Sequence, residues 1–205
     1  MIIVGAKGFA TELLQVCFEL GKTDDLLFYD DMTTDLPMYV FDKFKIIRTE
    51  NEVRKYFDEK NNGFALGLGN PFHRAKMTSI FESWGGDLVS LISPKAVIGN
   101  YGVSIQKGAT ILANAVVTGG VTIGRGILMY PNSIVTHDCA IGDFVELSPG
   151  ATVLGHCVIE DSVHIGANAT VLPKLRISSR VVIGAGSVVT KCISEGKVVK
   201  GIPAR

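Results

Sequence analysis

The chain has 205 residues, zero net charge and four cysteines (Cys17, Cys139, Cys157, Cys192) that follow no CxxC or zinc-finger spacing. A core of this size needs no disulfides, and the start of the chain lacks a charged region before its apolar run, so a reduced, cytoplasmic protein without a signal peptide is expected. Neutral charge argues against a nucleic-acid partner, and no apolar run approaches the ~18 residues of a membrane span.

In chain order, residues 1–92 alternate short apolar runs with helix-like stretches. A strand at 2–4 is followed by a glycine turn and an amphipathic helix over 10–20. Strands are expected at 26–29, 45–48 and 64–68, and helices over 50–58 and 72–84, the last opened by Pro71. Such alternation predicts a small Rossmann-like α/β unit with a parallel sheet. Gly5, Lys7 and Gly8 follow the first strand and open a helix, the context in which a helix N-terminus binds phosphate. A full dinucleotide fingerprint would need glycine at Lys7. Asp30-Asp31 reads as a solvated turn after a strand.

From residue 93 the period changes. Stepping by six from Ile105 to Val189 gives fifteen positions, all aliphatic or Met, and the residues two positions earlier are never charged. A six-residue unit supplies one short strand and a turn with two inward side chains. Three units close a triangular coil of eighteen residues, and coils stack at about 4.8 Å. Residues 93–205 are therefore expected to form a parallel β-helix. They carry ten basic and six acidic residues, a +4 bias that suits an anionic ligand. Val116, Leu128, Ile134, Ala140, Val158 and Val182 fall at outward positions, which argues for subunit packing.

Eighteen-residue coils also place the candidate chemistry. His137 sits at a turn, facing outward, and Gly155 lies at the same corner one coil along. A base beside a bare backbone amide suits acyl transfer. Cys139 and Cys157 are one coil apart at inward positions and are expected to stack as small apolar residues. His137, His156 and His164 stand at different offsets from the inward residues, so they are expected to point in different directions, and no metal is expected.

The hexads VTIGRG, CAIGDF, VHIGAN and VVIGAG resemble the hexapeptide-repeat acyltransferases. With VGAKGFATELL, FYDD, LGNPFHR, THDCAIGDFVELSPGATVLG, IGAGSVVTK and KGIPAR, the chain is similar throughout to the sugar O- and N-acyltransferases of the sialic acid O-acetyltransferase type. That resemblance implies a left-handed β-helix, a homotrimer and acetyl-CoA as co-substrate. It implies His137 as general base, Asp138 as its orienting acid and Gly155 as the oxyanion amide. Gly166, Ala167, Gly184 and Ala185 would line the coenzyme A groove, and Lys191, Lys200 or Arg205 could meet its phosphates. Gly5, Lys7, Gly8, Asp30, Asp31, Gly69, Asn70 and Arg74 would form a nucleotide-sugar site.

Two departures stand out. Glu146 occupies a position where this type often has a donor-contacting histidine, with His164 one coil on in the same outward column; either the two pair and His164 covers the contact, or they form a surface ion pair. Phe9 stands where many members have histidine. The function implied is N-acetylation of an amino sugar, expected to be nucleotide-linked. The alternatives are O-acetylation of sialic acid or another sugar hydroxyl, a γ-type carbonic anhydrase-like metal protein, and a non-enzymatic scaffold.

Overall fold

The computed structural model describes residues 1–205, which divide into two units, Met1–Leu91 and Ile92–Arg205. In the first, β1 (Ile2–Val4), β2 (Leu27–Tyr29), β4 (Phe44–Ile47), β5 (Gly63–Leu66) and β6 (Asp87–Leu88) run parallel, and β3 (Tyr39–Val40) pairs antiparallel to β4. The sheet order is β3-β4-β2-β1-β5-β6. Every side chain of β1 is buried, as expected of a central parallel strand covered on both faces.

Three helices complete the unit. The first, α1 (Gly8–Glu19), buries Ala10, Leu13, Val16 and Cys17, a single face at helical spacing. It crosses the end of β5 at Gly67, where a β-carbon would fall 2.6 Å from that of Ala10, so only glycine allows this approach. The second, α2 (Glu50–Glu59), opens on a capping box between Thr49 and Glu52. The third, α3 (Pro71–Ser83), opens with Pro71 after Asn70, whose side chain accepts from the amides of Phe72 (2.9 Å) and His73 (3.3 Å). Phe81 on α3 packs against Tyr29 and Phe64, each at 5.1 Å between ring centroids.

The antiparallel β3–β4 hairpin has no counterpart in the sequence reading. Its turn places Phe41 and Asp42 at φ of 51° and 53°. A bulky aromatic in the left-handed region carries none of the Gly/Asn chemistry that marks such turns.

The second unit is a parallel β-helix of two-residue strands arranged in three sheets. Through most of it, paired residues lie eighteen apart: Ile134 beside Thr152, Ala140 beside Val158, Glu146 beside His164. The first coil runs one residue longer, with Val97 beside Val116. Inward residues such as Val135, Leu147, Val153, Cys157, Ile165 and Val171 are fully buried. Each corner turns through a left-handed residue. One corner uses Asn114, Asn132, Gly150, Asn168 and Gly186; the next uses Gly102, Gly120, Asp138, His156 and Lys174. Gly, Asn and Asp tolerate this conformation best and fill most of these positions, although Phe144, His156, Ser162, Lys174 and Arg180 adopt it as well.

Outward direction and exposure part company on one face. Leu128, expected to be exposed, is fully buried, and Thr110 and Glu146 in the same column are buried too. Alternation sets only which way a side chain leaves the coil, not what lies beyond it.

Candidate active site

The corner that joins the strand Ile134–Val135 to Ala140–Ile141 carries His137 and Asp138. Asp138 has φ of 57°, and this left-handed bend lets two consecutive side chains meet that an extended strand would send to opposite faces. His137 Nδ1 lies 2.8 Å from Asp138 Oδ2, with the two side chains 59% and 52% exposed. An ionised carboxylate can only accept, so Nδ1 carries a proton, and in the neutral imidazole Nε2 is then the nitrogen with the lone pair. The hydrogen bond from His137 holds the Asp138 carboxyl below its usual range, with the charge of nearby His156 adding to the effect.

One coil on, Gly155 lies beneath the imidazole. A β-carbon there would fall 2.6 Å from both Cε1 and Nε2 of His137. The Gly155 carbonyl accepts from the Lys174 amide at 2.9 Å, whereas the Gly155 amide has no acceptor within the protein. On the other side of the corner, a β-carbon on Gly120 would fall 2.5 Å from Asp138 Oδ1, so glycine is what leaves room for the carboxylate.

His156 belongs to this corner as well. It stands eighteen residues after Asp138, also left-handed, at φ of 60°. Its Nε2 lies 3.7 Å from Asp138 Oδ2, and its ring meets that of His137 edge-on at 5.1 Å between centroids. This corrects the expectation that His137 and His156 point in different directions. Offsets from inward residues describe strands, and both residues sit in a corner where that rule lapses. The signal was present in the spacing of 138 and 156. Beneath the corner, Cys139 and Cys157 are buried free thiols donating to the Leu154 and Leu172 carbonyls at 3.3 and 3.1 Å. The neighbouring Cys157 thiol, with burial second, pushes the Cys139 thiol up.

The other residues of the expected donor site do not join this corner within one protomer. Glu146 and His164 lie on the side of the triangular coil opposite it, with Glu146 Oε1 3.6 Å from His164 Nε2. They are not a surface pair, because the Glu146 side chain is only 9% exposed. Ser148 Oγ lies 3.0 Å from the same His164 nitrogen, a partner that the sequence did not signal. Gly166, Ala167, Gly184 and Ala185 occupy a third location, the corner after the Glu146 face. A β-carbon on Gly166 would fall 2.6 Å from the Ile183 carbonyl oxygen and 2.7 Å from the Ala185 nitrogen. The C-terminal turn closes beside it: Lys200 and Arg205 exchange backbone hydrogen bonds at 3.1 Å, and the Gly201 amide donates to Ser187 Oγ at 3.0 Å.

In the first unit, the strand order reverses between β1 and β5, and a crevice at the carboxyl ends of such strands is where ligands bind in open α/β sheets. Gly5, at φ of 102°, ends β1 there; a β-carbon on it would fall 2.9 Å from the Gly67 carbonyl oxygen. Lys7 and Gly8 are exposed at the start of α1, which has no side-chain cap, and Phe9 is half-buried. Asp31 is exposed, beside Tyr29, whose phenol is pushed up by burial first and then by the Asp31 charge.

Two residues of that set hold the loops in place instead of facing outward. Asp30 accepts from the amides of Ala6 (3.2 Å), Met32 (3.2 Å) and Thr33 (2.9 Å), tying the turn after β1 to the loop after β2. Arg74 is only 1% exposed and donates to the Gly69 carbonyl, so it shapes the loop instead of offering a contact to a ligand. Arg48 was not singled out from the sequence. It braces the same region by donating to the carbonyls of Thr33 (2.8 Å) and Leu36 (3.3 Å).

Residues 1–81 match the family described as the PglD N-terminal domain, and residues 156–191 match the bacterial transferase hexapeptide repeats. This is the architecture of the hexapeptide-repeat sugar acyltransferases. The β-helix of that class is left-handed, and this chain shares it. The chain is similar over its full length to the acetyltransferase domain of PglB from Neisseria gonorrhoeae FA1090, with 29% identity, a TM-score of 0.89 and 97% of that chain covered. WeeI from Acinetobacter baumannii AYE is 28% identical with a TM-score of 0.89, again over 100% of this chain and 97% of that one. PerB from Caulobacter crescentus, solved with CoA and GDP-perosamine, shares the fold at 21% identity and a TM-score of 0.88, over 100% of this chain and 95% of that one. No curated protein matches the sequence. No helix is long and apolar enough to cross a membrane.

Proposed function

We propose that the chain transfers an acetyl group from acetyl-CoA to the amine of a nucleotide-linked amino sugar. The observation that carries this reading is the His137–Asp138 pair set over the unpartnered amide of Gly155. The neutral amine attacks the thioester carbon while His137 Nε2 takes its proton. The tetrahedral oxyanion meets the Gly155 N–H, and Asp138 stabilises the imidazolium. Collapse expels the coenzyme A thiolate, to which His137 returns the proton, leaving an amide and a free thiol. The PglB acetyltransferase domain, 28% identical, has been solved in complex with acetyl coenzyme A, which supports this donor.

The donor groove would be completed by a second subunit. Glu146, His164, Gly166, Ala167, Gly184 and Ala185 lie away from the His137 corner of their own coil, and a cyclic homotrimer would set them against the corner of a neighbour. Outward Val116, Ile134, Val158 and Val182, each only partly buried, supply apolar surface for that packing. The nucleotide would sit in the first unit, on Gly5, Lys7, Gly8 and Asp31, with Asp30, Gly69, Asn70 and Arg74 holding the loops. Four unpaired cysteines and acetyl-CoA as co-substrate fit a cytoplasmic setting.

A thiol-release assay with UDP-, GDP- and CMP-linked sugars, each with and without a free amine, tests the reading. Release that requires the amine supports N-acetylation. Release with a sugar hydroxyl alone makes the chain an O-acetyltransferase.

A further inference from the structure

His137, Asp138 and His156 each offer one donor atom, and the three atoms all lie within 4.8 Å of one another on an exposed corner. Imidazole nitrogen and carboxylate oxygen are the donors that zinc takes at about 2.0–2.2 Å in tetrahedral geometry, which puts neighbouring ligand atoms about 3.3 Å apart. The two distances at Asp138 Oδ2, 2.8 Å to His137 Nδ1 and 3.7 Å to His156 Nε2, bracket that value. Small side-chain rotations of opposite sense bring these two distances to it, and the two imidazole nitrogens, within 4.8 Å of each other, must close toward it as well. The spacing of the two rings is set by the coil stack, since the His156 amide donates to the His137 carbonyl at 3.0 Å.

We propose that this corner chelates a divalent transition ion of the Zn2+ type, and that the bound ion inhibits acyl transfer. The inhibitory half rests on the reading of His137 as the base. An ion on Nδ1 displaces the hydrogen bond to Asp138 and forces the imidazole proton onto Nε2. The nitrogen that must accept the proton of the acceptor amine then has no lone pair to offer. The fourth tetrahedral position is left to water, on a corner open enough for the ion to enter. Within the same protomer, His164, the remaining histidine of the β-helix, is not a ligand, because it faces Ser148 and Glu146 on another side of the coil.

The test is a calorimetric titration of the full chain with Zn2+, in a Cys192→Ser background that removes the exposed thiol, run beside an acetyl-transfer assay over the same Zn2+ range. The expected result is one ion per chain, with turnover falling as the site fills and returning on chelation. His156→Asn keeps a residue suited to the left-handed backbone and should weaken binding at least roughly tenfold, moving inhibition to correspondingly higher Zn2+. Asp138→Asn should weaken binding similarly, a second arm should His156→Asn lower the melting temperature. Unchanged Zn2+ affinity in both variants overturns the site. A filled site with undiminished turnover overturns the inhibition and His137 as base together, while the calorimetry, which needs no substrate, leaves the chelate standing.

Discussion

The His137 imidazole lies over the backbone of Gly155, one coil away, so closely that any β-carbon at 155 would come within 2.6 Å of its ring. Gly155 thus has two tasks, to make room for the base and to present an amide beside it. Gly155→Ala should displace His137 and lower kcat by on the order of tenfold to a hundredfold, consistent with losing alignment of one oxyanion donor. Melting temperature should change little, because the ring that must move is exposed. Steady-state kinetics and a thermal melt check both halves.

Asp138→Asn should reduce kcat by on the order of 10² or more, with little effect on KM for either substrate. An amide at 138 can present its NH2 to Nδ1 and favour the tautomer protonated on Nε2, the wrong nitrogen. The pH dependence has a definite sign. The Asp138 carboxyl is held below its usual range by His137, so its contribution is present above the unfolded carboxylate pKa and is lost only as pH falls through the lower folded value. The acid limb of kcat/KM should therefore show no inflection in the ordinary carboxylate range.

Glu146 is buried against His164, with Ser148 sharing the same nitrogen. Glu146→Ala should leave those groups poorly satisfied and cost about 1–3 kcal/mol of stability, read by denaturant titration. If this column lines the donor groove of a neighbouring subunit, His164→Ala should raise KM for acetyl-CoA while leaving that for the acceptor unchanged.

Arg74 spends its buried guanidinium on the Gly69 carbonyl. Arg74→Ala should loosen the loop after β5 and weaken nucleotide-sugar binding through a misplaced Asn70. Acetyl-CoA binding should be unaffected. Separate calorimetric titrations with the two ligands distinguish these outcomes.

The β-helix was legible because each hexad repeats the same inward aliphatic requirement, so the period survives any single substitution. The adjacency of His137 and Gly155 followed from that period alone. His156 escaped because strand alternation, which governs Val135 and Val153, was extended into a corner where Asp138 and His156 are both left-handed. The hairpin at Tyr39–Val40 escaped for a related reason: Phe41 adopts a turn conformation that its side chain does nothing to advertise. Neither the burial of Leu128 nor the loop-holding roles of Asp30 and Arg74 could be read from the sequence, since they depend on what packs around each residue.

The most direct test of the account is His137→Ala, assayed by thiol release with saturating acetyl-CoA and an amine-bearing nucleotide sugar. The account predicts a fall in kcat of about 10²–10⁴ with both substrates still bound at near-normal affinity. Near-normal turnover in a correctly folded variant would contradict it.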